Sequence, residues 1–459
     1  MKKIITILIL SIAFQSYGQC WEKVANGVTH TVARKVDGSL WAWGLNDRGQ
    51  VGDGTALTRT IPKQISTATN WDKVAAGGTF CLATKTDGTL WGWGYNTNGQ
   101  VGPGAGTYRT TPFQIGTLTD WGEPSCGENF SACLKTNGEL WVWGNNDYGQ
   151  LGDGTIVRNN NHSRVGGTAT YISMDCGYYN IHAVKSDGTL WSWGRGNYGQ
   201  LGNNTQNIDS LIPIQIGTDT DWVKVKAGNA LVIAQKSNGT LWGWGRGDYG
   251  QTGSGGFSHR RVPTQIGTAT DWISFDAGNF HAVATKSDGS VWSWGYNAFR
   301  QLGDATTVNK SLPVRTGPTT FLVAKPINAG INTAFGIKSD GSLWGWGDNS
   351  NWMIGNNSSN SFESTPVAVS CPASVGLAVN GFEIADNLKV YPNPIKDILN
   401  ISFDNQINII SIYNLLGQEI ISKKVNANDV KIDVLGLNSG TYFVKVIGDN
   451  FEKIIKVIK

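Results

Sequence analysis

The sequence predicts an all-β fold, most of which is expected to be a closed, seven-bladed β-propeller. Glycine accounts for 60 of the 459 residues and tryptophan for 20, whereas only 15% of the residues are charged. Ordinary globular chains have roughly half that share of glycine and about 25% charged residues. A chain that is rich in glycine and tryptophan and poor in charge is typical of many short strands joined by tight turns.

An internal repeat predicts the propeller. The tetrapeptide Trp-x-Trp-Gly begins at seven positions that are 50 to 52 residues apart: Trp41, Trp91, Trp141, Trp191, Trp242, Trp292 and Trp344. Seven units of this length suit a ring in which each unit builds one four-stranded blade. A linear solenoid is the alternative, but the number of units and the lack of distinct capping repeats favour a closed ring.

Each repeat predicts four strands. The first opens with an aromatic residue, and the second leads to an Asx-Gly pair that occurs in all seven units and favours a type I′ hairpin turn. The third is the Trp-x-Trp segment, followed by Gly-Gln-x-Gly in five units, and the fourth is an extended Pro-x-Gln-Ile stretch. We expect this fourth strand to begin the next blade, so residues 365–369 are predicted to complete the first blade near residues 21–25.

Two cysteines bracket the repeats. Cys20 lies immediately before the first unit and Cys371 immediately after the last, where a closed ring brings its ends together. Export from the cytoplasm permits disulfides, so these two residues are predicted to form one. Cys126, Cys133 and Cys176 instead occupy positions where other units have alanine, and burial as small apolar side chains explains them.

The sequence lacks the motifs of an active site or a metal site. Nineteen of the 20 tryptophans fall on repeating positions and are predicted to pack the blades, which leaves Trp352 as a candidate for an exposed contact. His30 and His281 occupy a repeat position that is Phe80 in the second unit, which favours packing over catalysis. No zinc-spaced Cys/His pair, nucleophile elbow or phosphate loop occurs. We therefore expect a protein that is not an enzyme and that has no cofactor or metal.

The complete repeat motif resembles a known family. The pattern Gly-x₇-Lys-x-Asp-Gly-x-Leu-Trp-x-Trp-Gly-x-Asn-x-x-Gly-Gln-Leu-Gly is similar to the regulator of chromosome condensation repeat over residues 21–370. The resemblance implies a propeller of seven blades. Nucleotide-exchange members of that family carry an inserted wedge, and plant photoreceptor members carry a tryptophan one residue after the blade glycine; this chain has neither. Secreted bacterial relatives bind through one propeller face, which implies that a binding role is feasible.

The amino terminus predicts export. Residues 1–19 contain two lysines, an apolar run from Ile4 to Phe14 and then small residues, as in a secretory signal peptide. The apolar run is too short to cross a bilayer as a helix, and no other segment is a transmembrane candidate. We predict that the propeller spans residues 20–371 and that residues 372–386 form a linker.

The last part of the chain, residues 387–459, has a different composition that lacks tryptophan. Its alternating apolar residues predict a small antiparallel β-sandwich. Its motifs resemble the type IX secretion sorting domain of Bacteroidota and include Pro392, Asn393, Pro394, Gly417, Gly440 and Tyr442. The resemblance implies two partners, the type IX machinery and its sortase-like processing peptidase, and a product that is secreted or attached to the outer-membrane surface. An immunoglobulin-like adhesion module is the alternative.

Charge and loop variation guide the functional hypothesis. The net charge is +3, and Lys2 and Lys3 of the signal peptide supply two of these charges, so nucleic acid is not an expected partner. We expect a non-catalytic binding module for an extracellular protein or polysaccharide, because the loops differ between units. A structural surface or matrix component without a discrete ligand is the second hypothesis, and an enzyme is the third.

A set of basic residues is the candidate ligand site. Four units carry a cation three residues before the proline of the fourth strand: Arg59, Arg109, Arg260 and Lys310. The symmetry of a propeller predicts that they form an incomplete positive ring on one face, suited to carboxylate or sulfate groups. Tyr108, Phe257 and Trp352 are candidate stacking groups. The alternative is that each cation pairs with a nearby acid or is solvated.

Overall fold

A computed structural model describes residues 20–104, 106–372, 388–414, 418–448 and 451–459. These residues form two compact units, of which the first ends at residue 372 and the second begins at residue 388. The predicted signal peptide, Gly417 and all of the predicted linker except Pro372 lie outside the described residues.

The first unit is the predicted propeller, which confirms the all-β fold with seven blades. Blade 1 comprises Trp21–Asn26 (β1), His30–Lys35 (β2), Leu40–Gly44 (β3) and Arg59–Gln64 (β4). Blade 2 comprises Trp71–Ala76 (β5), Phe80–Lys85 (β6), Leu90–Tyr95 (β7) and Tyr108–Gln114 (β8). Blade 3 comprises Trp121–Cys126 (β9), Phe130–Lys135 (β10), Leu140–Gly144 (β11) and Asn159–Val165 (β12). Blade 4 comprises Tyr171–Cys176 (β13), Asn180–Lys185 (β14), Leu190–Gly194 (β15) and Ser210–Gln215 (β16).

The remaining three blades repeat this arrangement. Blade 5 comprises Trp222–Ala227 (β17), Leu231–Lys236 (β18), Leu241–Gly245 (β19) and Arg260–Gln265 (β20). Blade 6 comprises Trp272–Ala277 (β21), His281–Lys286 (β22), Val291–Gly295 (β23) and Lys310–Arg315 (β24). Blade 7 comprises Asn328–Ala329 (β25), Thr333–Ile337 (β26), Leu343–Asp348 (β27) and Phe362–Val369 (β28). Each blade is one antiparallel sheet whose strands follow in chain order from the inner strand to the outer strand.

The propeller has two distinct faces. The turns after the inner strands and the loops before the outer strands lie on one face, here called the loop face; for example, the backbone N–H of Leu45 donates to the carbonyl of Thr29. The Asx-Gly turns and the linkers between blades lie on the other, here called the turn face, where Trp71 N–H donates to the carbonyl of Gly38. The loop face therefore carries the segments that vary most between units.

The prediction of a composite first blade is wrong. The outer strand β28 pairs with β27 of its own unit, with Trp344 opposite Ala368, and β1 pairs with β2. The loop after each Trp-x-Trp-Gly returns the chain to the third strand of the same unit, so a local pairing forms at a lower entropic cost than one with the next unit. Every unit is thus a self-contained blade.

The ring is closed by contacts between the first and last blades. Trp43 donates its indole N–H to the carbonyl of Met353 at 2.7 Å, and the backbone N–H of Trp21 donates to the carbonyl of Gly341 at 2.9 Å. A disulfide joins Cys20 to Cys371. These bonds connect the beginning and the end of the propeller without sharing a strand.

The same indole hydrogen bond joins every pair of neighbouring blades. In the other six pairs, the second tryptophan of Trp-x-Trp donates at 2.8–3.0 Å to the backbone carbonyl of a glutamine in the preceding blade, which follows glycine in five blades and Arg300 in blade 6; the acceptors are Gln50, Gln100, Gln150, Gln200, Gln251 and Gln301. Close approach explains the last glycine of the Gly-Gln-x-Gly turn, because a Cβ on Gly52 would lie 2.6 Å from the indole nitrogen of Trp93. The repeat motif therefore encodes the interface between blades.

A lysine lies over the first tryptophan of Trp-x-Trp in every blade. The ammonium nitrogen is 3.3–5.3 Å from the ring centroid in each case, and the seven lysines are Lys35, Lys85, Lys135, Lys185, Lys236, Lys286 and Lys338. Cation–π contacts of this kind contribute roughly 0.5–2 kcal/mol each. The Lys-x-Asx-Gly signature is thus a packing element of the turn face.

The second unit is a small antiparallel β structure. Its strands are Lys389–Tyr391 (β29), Ile398–Tyr413 (β30), Glu419–Asp433 (β31), Thr441–Gly448 (β32) and Phe451–Ile458 (β33). The sheet runs β29-β30-β32-β33, and β31 pairs with β30. Side chains such as Leu399, Ile410 and Val444 form a buried apolar core that is separate from the cores between the blades.

Candidate functional site

The basic residues predicted from the sequence lie at the starts of outer strands on the loop face. Arg59, Arg109, Arg260 and Lys310 each pair with the glycine of Trp-x-Trp-Gly in their own blade. Two of them have acidic partners: Arg59 binds Asp53, with Nε 2.5 Å from Oδ2, and Lys310 Nζ is 3.8 Å from Asp304. Burial by itself would raise the pKa of Asp53, but hydrogen bonds from Thr55 and Arg59 hold it below its ordinary value.

The other two basic residues bond to their own loops. Arg109 donates to the carbonyl of Gly104 at 2.8 Å, and Arg260 donates to Ser254 at 3.2 Å and to the carbonyl of Gly255 at 3.1 Å. All four cations therefore hold the loops that precede the outer strands. Among the described residues, only Arg109 and Arg260 of the four have no carboxylate within ion-pair distance.

A second set of residues on the loop face was missed in the sequence analysis. We call it the aromatic–arginine band; it comprises Tyr148, Tyr178, Tyr179, Arg195, Tyr198, Arg246, Tyr249, His259, Phe280, Tyr296 and Phe299. Its members come from blades 3 to 6 and most are half-buried. Blades 1 and 2 carry Arg48 and Tyr95 at related positions, with the guanidinium 5.6 Å from the ring centroid. The band therefore departs from the sevenfold symmetry.

The first part of the band spans blades 3 and 4. The ring centroids of Tyr148 and Tyr179 are 5.0 Å apart, and those of Tyr178 and Tyr179 are 6.0 Å apart. The guanidinium of Arg195 lies 4.4 Å from the Tyr148 centroid and 5.3 Å from that of Tyr179. Arg195 forms no ion pair in the described part of the chain, and the carboxylate of Glu128 lies beside Tyr178 and Tyr179 in the same cluster, where burial and this carboxylate raise the pKa of both phenols.

The second part of the band spans blades 4 to 6. Arg246 lies 4.8 Å from the Tyr198 centroid and 4.9 Å from that of Phe280, and it donates to Asp248 at 2.7 Å. The Tyr249 and Tyr296 centroids are 4.6 Å apart, and Tyr296 in turn contacts Phe299 at 6.1 Å. The rings thus form a continuous polarisable surface, and Asp248 neutralises the charge of Arg246 within it.

The repeat scaffold holds the band in place. The backbone N–H groups of Tyr148, Tyr198, Tyr249 and Phe299 each donate to a glutamine side chain of the Gly-Gln turn at 2.8–3.0 Å. The backbone N–H of Arg195 donates to the carbonyl of Tyr179 at 2.9 Å. These hydrogen bonds fix the backbone from which the rings project, and the contacts between the rings restrict the side chains further.

The turn after Phe299 is strained. Arg300 and Trp352 have φ values of 63° and 55° at a position where five other units have glycine. Left-handed backbone costs a residue with a side chain roughly 1–2 kcal/mol. Arg300 lies 5.1 Å from the Phe362 ring centroid in a groove of about 310 Å³, and Trp352 is 38% exposed. The loop face therefore presents large side chains at blades 6 and 7 in spite of this cost.

The inner strands enclose a central channel of about 730 Å³. Lys226 lies 3.7 Å from Asp175 and 4.0 Å from Asp276, on the inner strands of the neighbouring blades. Burial lowers the pKa of Lys226, but these two carboxylates outweigh burial and raise it above its ordinary value. Asp175 also accepts from Ser125 at 2.9 Å, and Asp276 accepts from Asn328 at 2.9 Å. This network crosses four blade boundaries in the channel wall.

Burial determines the protonation of three histidines and two cysteines of the propeller. Burial lowers the pKa of His30 and His281 to about 4 and that of His182 to about 3, and it raises the pKa of Cys81 and Cys133. A protonated thiol is a poor nucleophile and a poor metal ligand, and a histidine with so low a pKa is a weak base. Within the described ranges, no group of three His, Cys, Asp or Glu side chains is arranged to hold a metal ion.

Comparison with known proteins identifies the propeller. The RCC1-like domain family matches residues 11–325 and 123–383. The chain belongs to the RCC1-like domain family. The crystal structure of human WBSCR16 is similar at 22% identity, with a TM-score of 0.65, over 72% of this chain and 94% of that chain. The crystal structure of Prp20p from Saccharomyces cerevisiae, a protein that binds Gsp1p and histones, is similar at 21% identity with a TM-score of 0.59, over 67% of this chain and 80% of that chain. No curated protein matches the chain.

The second unit of this RCC1-like protein matches the secretion system C-terminal sorting domain over residues 389–459. The protein is therefore secreted or attached to the outer-membrane surface through the type IX system. Several predicted sorting residues lie around the end of β33: Asn393 accepts from the backbone of Ile458 at 2.9 Å, and Gly440 exchanges backbone hydrogen bonds with Lys459. Tyr442 donates to the carbonyl of Asn438 at 2.9 Å. In the described residues, no helix is long and apolar enough to cross a membrane.

Proposed function

We propose that the mature protein is a non-catalytic binding module whose loop face recognises an extracellular macromolecule or glycan. The aromatic–arginine band is the observation that carries this proposal. Blade packing uses the tryptophans of the repeat, and the band lies outside them, on one face and on four blades only. Ordered aromatic side chains and arginine are the residue types that are enriched at binding hot spots.

The pKa values of the buried histidines and cysteines support a non-catalytic role. The pKa values of the buried histidines lie far below neutral pH, and the buried thiols of Cys81 and Cys133 are protonated there. A general acid or base requires a pKa near the working pH, and a nucleophilic cysteine requires a lowered one. A binding role is therefore favoured over an enzymatic role.

The basic residues of the outer strands are a second candidate site for the same function. Arg109 and Arg260 retain free charge, and Tyr108 and Phe257 near them are 51% and 54% exposed. Arg59 and Lys310 are less suitable because Asp53 and Asp304 offset their charges. Of the two candidates, the band is favoured because its rings are fixed by each other and by the Gly-Gln turns.

The experiment is a glycan-array and pull-down screen with the mature chain and a band variant, Tyr148→Ala with Tyr249→Ala. The matched control is Tyr108→Ala, which removes an exposed tyrosine of blade 2 outside the band. We expect ligands that bind the wild type and the control but not the band variant. Loss of binding in the control alone would place the site on the outer strands, and equal binding by all three would refute a loop-face site at the band.

A further inference from the structure

The outer strand of blade 3 lacks a proline that the other six outer strands share. In those six, the proline lies three residues after the residue that pairs with the glycine of Trp-x-Trp-Gly; the prolines are Pro62, Pro112, Pro213, Pro263, Pro313 and Pro366. In blade 3, Asn159 pairs with Gly144, and His162 occupies the position of the proline. The strand β12 therefore keeps a backbone N–H group that its six equivalents lack.

This N–H group lies on the open side of the sheet. In blade 1 the backbone N–H of Ile65, which is equivalent to Val165, donates to the carbonyl of Leu40 on the third strand. Backbone groups alternate in direction along a strand, and the register between β12 and β11 is regular after His162. His162 and Arg164 therefore direct their N–H and C=O groups away from β11. β12 is the outermost strand of its sheet, and no described strand pairs with its other side.

The proline protects the other outer edges. Proline on an edge strand removes a hydrogen-bond donor, and it is one of the devices by which β proteins prevent their edges from pairing with another chain. A bulge in the outer strand can have the same effect, but all seven blades have this bulge, so it does not distinguish blade 3. One edge of the ring is thus open to a further strand.

Contacts within blade 3 order the open edge. The side chain of Asn159 donates to Ser163 at 2.6 Å and accepts from the backbone N–H of Asn161 at 3.0 Å. The His162 ring packs inward, with its centroid 5.3 Å from that of Trp121. The strand is therefore formed before a partner arrives, which lowers the entropic cost of pairing.

The edge is complementary to a second copy of itself. In an antiparallel pair centred on Ser163, His162 of each copy lies opposite Arg164 of the other, and these residues exchange four backbone hydrogen bonds in total. Arg164 forms an ion pair with Glu139 of its own chain at 2.8 Å. Burial, followed by the charge of Lys135, lowers the pKa of His162, so the imidazole opposite Arg164 is uncharged at neutral pH. No like charges face each other in this register.

A foreign peptide is less suited to this edge. A peptide that adds to a sheet gains affinity from its main chain but specificity from pockets that take alternate side chains. The central channel and the groove beside Arg300 include no residue of β12. A second copy needs no such pocket, because the register centred on Ser163 is set by the strand itself. Since six of the seven outer strands carry the proline, association of this kind stops at two copies.

We propose that the mature protein forms a dimer in which the β12 strands of two copies pair antiparallel about Ser163, so that the two blades become one continuous sheet. A short strand with four backbone hydrogen bonds buries little surface, so the dimer is weak and depends on protein concentration. The inference does not depend on the ligand proposed for the loop face.

The first test is sedimentation equilibrium of the mature wild type, His162→Pro and His162→Ala at concentrations up to about 1 mM, which detects weak association. His162→Pro restores the residue of the other six blades and removes two of the four hydrogen bonds, so the dissociation constant of the dimer should rise at least tenfold. His162→Ala loses the same ring contacts but keeps the N–H group, so its dissociation constant should stay within threefold of the wild type. A wild type that stays monomeric throughout this range, or equal effects of the two substitutions, would overturn the proposal.

The second test examines the register and does not require a strong equilibrium. Opposed residues of a non-hydrogen-bonded pair have Cβ atoms about 4.5–5.5 Å apart, close to the range that a disulfide bridges. Ser163→Cys should therefore form a disulfide between two copies under mild oxidation, visible as a dimer on a non-reducing gel. Lys63→Cys, at the equivalent position of blade 1 beside Pro62, is the matched control and should cross-link at least tenfold more slowly. Equal rates in the two variants, or no cross-link in Ser163→Cys, would contradict pairing about Ser163.

Discussion

The Cys20–Cys371 disulfide is expected to be a major contributor to the stability of the ring. It links residues that are 351 positions apart, so it closes almost the whole propeller into one loop in the unfolded chain. The chain-entropy relation gives about 6 kcal/mol for a loop of this length, as an upper estimate, and removal of native disulfides from small domains costs about 2–5 kcal/mol. We therefore predict that Cys20→Ser with Cys371→Ser lowers the free energy of unfolding by about 2–6 kcal/mol.

The assay is equilibrium unfolding in guanidinium chloride, followed by tryptophan fluorescence, on the mature wild-type and variant proteins. The single variant Cys371→Ser is the matched control, since it also lacks the cross-link and should lose the same free energy as the double variant. Wild-type protein treated with a reductant should unfold at the midpoint of the double variant. A loss below about 1 kcal/mol would show that the contacts between blades 1 and 7, such as Trp43 to Met353, close the ring without help from the disulfide.

Three further predictions follow from the structure. Arg300→Gly should stabilise the propeller by about 1 kcal/mol because φ is 63° there, whereas Gly250→Ala, at the same repeat position, should destabilise it because its Cβ would lie 2.6 Å from the backbone of Ser311; denaturant midpoints check both. Burial holds the pKa values of His30, His182 and His281 at about 3–4, below the unfolded value of about 6.5. The free energy of unfolding should therefore be highest above pH 6.5 and should fall as the pH drops toward 4, by about 1.4 kcal/mol per pH unit for each histidine. His30→Phe, which introduces the residue that blade 2 has at this position, should reduce this slope in a pH series of unfolding curves. Deletion of residues 387–459 should leave the propeller folded but retained in the periplasm, as cell fractionation would show; normal levels in the medium or on the surface would contradict the sorting role.

The sequence predicts the blades well because the residues that determine the turns and the spacing of the strands lie within each repeat. The Asx-Gly pairs specify the hairpin between the second and third strands, and the spacing of Trp-x-Trp-Gly specifies the number of blades. The strand with which the outer strand pairs could not be predicted in this way. The pairing of that strand depends on where the preceding loop returns the chain, for example residues 45–58 between Gly44 and Arg59, and the alternation of apolar residues in a strand does not reveal which neighbour the strand joins.

The candidate site was only partly predictable for a related reason. Arg59 and Lys310 were recognisable as equivalent positions, but their acidic partners, Asp53 and Asp304, lie six residues earlier and become partners only through the loop conformation. The band combines residues from neighbouring units, such as Tyr148 and Tyr179, that are distant in sequence. An alignment of the seven units would have shown a signal, because the residue before the Gly-Gln turn, or its variant in unit 6, is aromatic only in units 3 to 6.

The measurement that tests the central claim most directly is the affinity of the captured ligand for three proteins: wild type, Tyr249→Ala with Tyr296→Ala, and Tyr108→Ala. The ring centroids of Tyr249 and Tyr296 lie 4.6 Å apart in the band, and Tyr108 is an exposed tyrosine outside the band. Truncation of hot-spot aromatics costs about 2 kcal/mol or more, so the band variant should bind at least thirtyfold more weakly while Tyr108→Ala stays within threefold of the wild type. Wild-type affinity in a folded band variant would contradict recognition by the loop face through the aromatic–arginine band.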